Sequence, residues 1–399
     1  MKELIIDKLG DNQRLDKYLS KYLSAASKSF IYKMLRKKNI TLNDKKADGS
    51  EKLQSGDSVK IFFSDETLNK FSEGKSCISN AVSRQTNNMT DKAADNTANE
   101  PAVRTDGKHT DSTADKYSYT ASKKGLSIDY EKIYKPLDIV YEDENVLFIN
   151  KPVGMLSQKA DKNDCSLVEY ITAYLLHNNS LTYEDLAMFT PSICNRLDRN
   201  TSGIIAAGKT MKGLQELSSH FKERTLTKYY ICIVAGKIDK RQLIKGYLYK
   251  DKKLNKVTIC QTLPKGRDTS EYLQIETEYI PVAYSDNATL LKVHLITGRS
   301  HQIRAHLASI NHPLAGDYKY GKASFNRRFT DKYNCKSQLL HSYELNIPDM
   351  DIHIHTDIPD IFLNVLKGEN IWQPGIQEVL EALPVSYTHL RAHETKANL

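Results

Sequence analysis

Ile193-Cys-Asn-Arg-Leu-Asp-Arg-Asn-Thr-Ser-Gly-Ile-Ile-Ala-Ala-Gly-Lys209 sets one carboxylate, Asp198, between Arg196 and Arg199. A tight-turn triplet follows, Thr201-Ser202-Gly203. Ile204 to Ala207 then predict a short buried strand ended by Gly208. The carboxylate therefore sits on a loop that feeds a core strand, the arrangement by which a rigid scaffold presents a reactive group. A surface Arg–Asp–Arg ion pair ahead of a strand is the plainer reading, because carboxylates among bases are often structural.

Outward from this stretch the chain reads as many strands and few helices. Upstream, Asp138 to Gly154 gives strand, acidic turn, strand and a Pro-Gly turn, and Leu167–Leu176 has a helical pattern. Downstream, Met211–Phe221 is an amphipathic helix with Leu214 and Leu217 inward, and Thr227–Gly236 is a strand. Strand-like segments recur at 246–248, 257–259, 272–279 and 288–295. Together these predict an α+β fold: a large mixed, mainly antiparallel sheet with flanking helices over residues 131–383.

Residues 1–63 form a separate small α/β unit with 14 Lys and Arg against 8 Asp and Glu, so most of the net charge of +8 lies there. Leu15, Leu19, Tyr22 and Leu23 recur at helical spacing, and so do Phe30, Ile31, Met34 and Leu35 after Ser27. On the second helix Lys33, Arg36 and Lys37 share one face. Ile40–Asn43 reads as a strand, Asp44-Lys45 as a turn and Asp57–Phe62 as a last strand. Residues 64–130 are polar and aperiodic and read as a disordered linker. The segment 384–399 has no apolar period and looks like a translated adapter, not native sequence.

The six cysteines, Cys77, Cys165, Cys194, Cys232, Cys260 and Cys335, are scattered with no Cys-x-x-Cys pair, which argues against a disulfide scaffold or a zinc knuckle. No apolar run reaches membrane-span length and no signal-peptide core opens the chain. A cytoplasmic monomer without membrane association is expected.

Arg196-Leu-Asp-Arg-Asn-Thr-Ser-Gly203 resembles the catalytic motif of the RluA/RluD-type pseudouridine synthases, His-Arg-Leu-Asp-x-x-Thr-Ser-Gly, with Asn195 in the place of His. Asn150-Lys151-Pro-Val-Gly154, Lys228-Tyr-Tyr230, Thr297-Gly-Arg-Ser-His-Gln-Ile-Arg-Ala-His-Leu307, His312-Pro-Leu-Ala-Gly-Asp317, Tyr320-Gly321 and Leu340-His341 are similar to further motifs of that family. The order of elements in residues 1–63 resembles the small RNA-binding module of the S-four type. The resemblance implies a cofactor-free RNA pseudouridine synthase, a cytoplasmic isomerase of RNA modification. With such a module, large-subunit ribosomal RNA is the expected substrate ahead of transfer RNA.

It also implies roles. Asp198 is the nucleophile or base beside the ribose, and both remain open at this point. Tyr230 is the aromatic face that holds the detached uracil, and its hydroxyl is a candidate proton relay. Arg304 pairs with Asp198 and orients it. Arg196 fills the space vacated by the flipped base. Asn195, Lys151, Arg299 and His301 are candidate substrate or loop contacts. Lys28, Lys33, Arg36, Lys37, Lys45 and Lys46 are placed against RNA phosphates.

Two other functions fit parts of the chain. A non-catalytic RNA-binding factor of ribosome assembly would need only the basic module, but Asp198, Tyr230 and Arg304 are all in place. A metal-dependent RNA hydrolase would draw on His301, His306, His312 and Asp317, but their spacing matches no zinc signature, and no metal is expected.

Overall fold

The computed structural model describes residues 1–71, 128–161, 163–251, 253–265 and 268–382. They divide into two compact units, one comprising the N-terminal residues with Leu181–Thr190, the other comprising Tyr130–Ser180 and the chain from Pro191 onward. Most of the linker read over 64–130, and the tail read over 384–399, lie outside the described residues.

The first unit runs β1 (Lys2–Ile5), α1 (Leu15–Tyr22), α2 (Lys28–Arg36), β2 (Ile40–Leu42), β3 (Lys45–Lys46), β4 (Ser58–Ile61) and α3 (Asp65–Phe71). Its four strands form a sheet in the order β1-β4-β2-β3. Leu15, Leu19, Ile31, Leu35, Ile40, Val59 and Ile61 close a single core. Ser27 caps α2 by accepting from the Phe30 amide at 3.3 Å.

Two details differ from the sequence reading. The turn lies one residue earlier, at Asn43-Asp44, where both φ angles are positive. Thr41 pairs with Lys46 and Leu42 with Lys45, so this is a two-residue hairpin, and Asn and Asp tolerate its left-handed backbone better than Lys. Lys45 is thus a strand residue. The other difference is α3, which occupies the start of the segment read as linker. Leu68 and Phe71, three residues apart in a polar stretch, pack against the core, and the Phe71 ring lies 4.5 Å from that of Phe30. Two apolar side chains at helical spacing are enough to bring a short helix onto this unit.

The second unit contains α4 (Tyr130–Ile133), β5 (Ile139–Glu142), β6 (Val146–Lys151), α5 (Leu167–His177), β7 (Ser192–Ile193), β8 (Ser202–Gly208), α7 (Met211–Glu223), β9 (Thr227–Ala235), β10 (Gln242–Asp251), β11 (Lys256–Cys260), β12 (Leu273–Tyr284), β13 (Ala288–His294), α8 (Gln302–Ser309), α9 (Ala323–Tyr333), β14 (Leu340–Ile347), β15 (Ile352–His355), α10 (Asp360–Gly368) and α11 (Ile376–Ala382); α6 (Asp185–Met188) lies in the segment that groups with the first unit. Eleven strands form one sheet in the order β11-β10-β12-β13-β9-β14-β8-β6-β5, with β15 on β14 and β7 on β8. Among the described strand pairs only β8–β14 is parallel. The sheet is mixed and mainly antiparallel, as the strand-rich sequence predicts.

The parallel junction positions the site. Gly203 enters β8 with φ +108°, and a β-carbon there would lie 2.2 Å from the Ser342 carbonyl oxygen. Only glycine lets β8 close on β14 at this point. The loop that carries Asp198 is thereby pinned where β8, β9 and β14 meet. Ile231, Ile233, Leu339, Tyr343, Phe362 and Val365 form a core that joins the sheet to α9, α10 and α11.

Candidate active site

The turn at Asp198 is closed by its own backbone, with the Thr201 amide donating to the Asp198 carbonyl at 3.0 Å. Three side chains brace it from behind. Ser157 Oγ donates to the Leu197 carbonyl at 2.8 Å and accepts from the Leu197 amide at 3.1 Å. Lys151 Nζ donates to the carbonyls of Pro152, Met155 and Arg199 at 2.9, 3.0 and 3.2 Å. Asn195 Oδ1 accepts from the Ala206 amide at 2.8 Å, and its Nδ2 donates to the Ile204 carbonyl at 3.3 Å. Asn195 thus spends its amide on β8, and the residue that departs from the motif serves as a backbone clamp. Lys151 is fully buried with all three donors engaged, so it holds the loop from inside and offers no surface to RNA. Burial pushes its ammonium down to about 8, partly offset by the charge of Asp198.

Asp198 is itself accessible, its side chain 28% exposed. Arg304 Nη1 donates to Asp198 Oδ2 at 2.7 Å. The other edge of the same guanidinium makes a fork with Asp317, Nε to Oδ2 at 2.7 Å and Nη2 to Oδ1 at 2.9 Å. Asp317 Oδ1 also accepts from the amides of Lys319 at 2.9 Å and Tyr320 at 3.2 Å. Burial would push the Asp317 carboxyl up, but the hydrogen bonds and charge of Arg304 outweigh it and hold the group below the usual carboxylate range. Burial likewise works against the Arg304 charge, and the two carboxylates overcome it and raise the guanidinium further.

Arg304 reaches this position because α8 is anchored at its start. Gln302, buried, donates to the Glu276 carbonyl and to Thr277 Oγ1 at 3.0 Å each, and accepts from Thr297 Oγ1 at 2.9 Å and the Arg299 amide at 3.0 Å. All four of its hydrogen-bonding sites are used, which locks the turn before α8 onto β12. His301 precedes the helix with φ +53°; its Nδ1 meets Tyr320 Oη at 2.8 Å and its Nε2 lies 3.9 Å from Asp198 Oδ1. Burial lowers the His301 pKa; Asp198 opposes this, and Arg304, Lys319 and Lys250 add to it. Tyr320 therefore joins His301 to the face of Arg304, 5.3 Å from its ring.

Tyr230 on β9 stands opposite Ser342 and Val293 in the sheet. Burial pushes its phenol up to about 12, with Asp198 adding to the rise and a hydrogen bond with Ser342 opposing it. At neutral pH the phenol keeps its proton, so its hydroxyl is a hydrogen-bond donor. Arg196, Arg199 and Arg299 are exposed around this centre.

The four residues considered as metal ligands go to separate partners. His301 meets Tyr320, His306 meets Thr277 Oγ1 at 3.0 Å, His312 meets the Ala235 carbonyl at 2.7 Å and Asp317 holds Arg304. Among the described residues no group of three or more His, Cys, Asp or Glu could hold a metal ion. On the first unit Lys28, Lys33, Arg36, Lys37, Lys45 and Lys46 are all exposed.

Sequence reasoning brought Asp198, Arg304 and Tyr230 to one site. It missed Asp317 as the second partner of Arg304, although the Asp lies in a quoted motif. It also missed Ser157, for which no sequence signal exists; of the two roles open for Lys151, substrate contact or loop contact, the hydrogen bonds are those of the loop.

The site is thus an accessible carboxylate gripped by a buried arginine, beside a buried tyrosine on a large mixed sheet. Residues 145–309 match the RNA pseudouridylate synthase model, and residues 13–59 match the S4 domain. An uncharacterized RNA pseudouridine synthase of Mycoplasma genitalium is 29% identical over 351 residues, 88% of this chain and 90% of that one. The ribosomal large subunit pseudouridine synthase C of Buchnera aphidicola is 26% identical over 375 residues, 92% and 96% of the two chains. The solved structure of human RNA Pseudouridylate Synthase Domain Containing 4 aligns with TM-score 0.49 and 20% identity, over 59% of this chain and 94% of that one. The chain belongs to the RNA pseudouridylate synthase family and is an RNA pseudouridine synthase carrying an N-terminal S4 domain.

Proposed function

We propose that this enzyme isomerises uridines of large-subunit ribosomal RNA, with Asp198 as the group that acts on the ribose. The observation that carries the reading is the fixed carboxylate. Oδ2 is held by Arg304 at 2.7 Å, while Oδ1 lies 3.9 Å from His301 Nε2 on a side chain that is accessible. Oδ1 is the oxygen that faces substrate, as nucleophile on the anomeric carbon or as base for a ribose proton. In either case the bond from ribose to ring nitrogen 1 breaks, the uracil turns against Tyr230, and a bond to ring carbon 5 replaces it, with no net gain or loss of atoms.

The exposed Arg196 enters the stack as the target base leaves it. The six basic side chains of the S4 unit follow phosphates and supply position, not chemistry. The ribosomal assignment is supported by the relatives named as large-subunit synthases and by the S4 unit.

The test combines two measurements. Pseudouridine is mapped in ribosomal and transfer RNA from cells with and without the chain, and the purified enzyme is assayed on ribosomal RNA fragments beside Asp198→Asn. Loss of specific ribosomal sites is expected, with turnover in the variant slower by three orders of magnitude or more, roughly 4 kcal/mol in barrier, and unchanged RNA binding. A variant within about tenfold of wild type, roughly 1.4 kcal/mol in barrier, removes Asp198 from the chemistry. Lost sites confined to transfer RNA refute the substrate.

A further inference from the structure

Lys228 lies two residues before Tyr230 on β9, so the two side chains leave the same face of the sheet. Its ammonium reaches the exposed turn that leads into α8: a β-carbon at Gly298 would come within 3.4 Å of Lys228 Nζ. The ring of Phe221 lies 5.7 Å away. Among the described residues no carboxylate, carbonyl or hydroxyl takes a hydrogen bond from this ammonium, and the charge that acts on it, Arg224, has the same sign. Burial, with Arg224 adding, pushes Lys228 down to about 8.

The Lys228 side chain is half-buried, and beyond the distant ring of Phe221 no described residue engages its ammonium, which leaves it open to solvent and to an incoming anion. The fully buried lysines of the same unit, by contrast, are answered by the protein itself. Lys151 has three carbonyls, and Lys292 has Glu344 at 2.7 Å and the Leu380 carbonyl at 2.6 Å. A half-exposed ammonium beside the site with no protein acceptor is free to take an anionic group of the substrate. A neutral uracil would not offset the charge. A phosphodiester would, and Gly298 leaves room for one while Arg299 next to it is exposed.

We propose that Lys228, at the Gly298–Arg299 turn, is a subsite for one backbone phosphate of the RNA next to the target uridine. Lys228 is a positioning residue: it fixes the strand so that the flipped nucleotide meets Asp198 and Tyr230. The inference rests on RNA being the substrate and is independent of the role of Asp198.

The experiment uses the full chain with Lys228→Met and Lys228→Arg, each also in the Asp198→Asn background. Binding of a ribosomal RNA fragment is measured across a salt series, with melting temperatures and single-turnover rates at saturating RNA. Lys228→Met is expected to leave the melting temperature nearly unchanged, weaken RNA binding about tenfold, the scale of one charged hydrogen bond, and flatten the log–log salt slope by about 0.7 to 0.9. The saturated rate should stay within about threefold, since phosphate contacts position without doing chemistry. Lys228→Arg should restore the slope, and the same binding changes should appear in the Asp198→Asn background. Single methylphosphonates near the target uridine should reproduce the loss in wild type and add nothing to Lys228→Met. A lower melting temperature with an unchanged slope would make Lys228 a structural residue and overturn the proposal. Weaker binding with an unchanged slope would assign it to a neutral group of the substrate and overturn it equally.

Discussion

Replacing Asp317 by asparagine tests the central claim about how the site is held. The wild-type carboxylate accepts four hydrogen bonds, two from the Arg304 fork and two from backbone amides. An amide has one oxygen, and its NH2 would point donor against donor at Arg304 or at the turn. Asp317 is fully buried and Arg304 nearly so, and stripping one partner from a buried pair costs about 3–5 kcal/mol. For a domain of this size that lowers the melting temperature by roughly 10 °C. The guanidinium would keep its bond to Asp198 and lose its support, so Asp198 should wander. A misplacement of this order costs about tenfold to a hundredfold in rate. The assay is single-turnover pseudouridine formation at saturating RNA, well below both melting temperatures, alongside calorimetry. Arg304→Gln and the double variant complete a cycle, in which contact residues should couple by more than about 1 kcal/mol. A destabilised Asp317→Asn with an unimpaired rate would show that the fork serves only the fold. Additive effects in the cycle would refute the shared-guanidinium argument altogether.

Burial pushes His306 down to about 4 and His341 down to about 3, so the unfolded chain binds more protons at these sites between those values and about 6.5, and their contribution is full above about 6.5 and lost as pH falls; denaturant unfolding should show the catalytic unit about 4 kcal/mol weaker at pH 5 than at pH 7, and a flat profile would refute the assignment of neutral buried rings. Replacing Lys33, Arg36 and Lys37 together by alanine should flatten the salt slope of RNA binding by roughly 2 to 3 and leave the saturated rate unchanged; an unaltered slope would show that this helix face does not meet phosphates. Exchanging residues 72–127 for a Gly/Ser segment long enough to join Phe71 to Ile128 should preserve melting temperature and turnover, and a clear fall in either would mean that these residues pack or act.

The parts of the fold legible in the sequence are those whose burial follows a period. β8 reads from four consecutive apolar residues, and β9, β12 and β13 read from β-branched and aromatic runs. α8 has no such period, because Gln302, Arg304 and His306 are buried beside Ile303 and Leu307. Arg304 and His306 are explained by partners at Asp317 and on β12, outside the helix, and Gln302 by β12 together with the turn before the helix. The order β13-β9-β14-β8 is equally non-local: the parallel pair joins Ser202 to His341, far apart along the chain. At the site, the resemblance gave the residue identities and the Arg304–Asp198 pair, but not the hydrogen bonds that brace them. Asn195 shows the difference. Its side chain could have faced RNA or braced the loop, and the choice is made by the amide and carbonyl of β8 that it satisfies.

Lys151 and Lys228 show why burial alone does not identify a functional residue. Burial brings both ammonium groups down to about 8. Around Lys151 the three loop carbonyls and the ammonium satisfy each other, and the Asp198 loop gains a fixed shape. Around Lys228 no described carboxylate or carbonyl answers the charge. The first arrangement is complete before substrate arrives; in the second the half-buried ammonium stays open to solvent and, in the proposed subsite, to a phosphate. A fold that can cage one lysine with its own carbonyls has the means to cage another. The half-buried ammonium two residues from Tyr230 is, in the proposed subsite, half of an interaction whose other half is carried by the RNA.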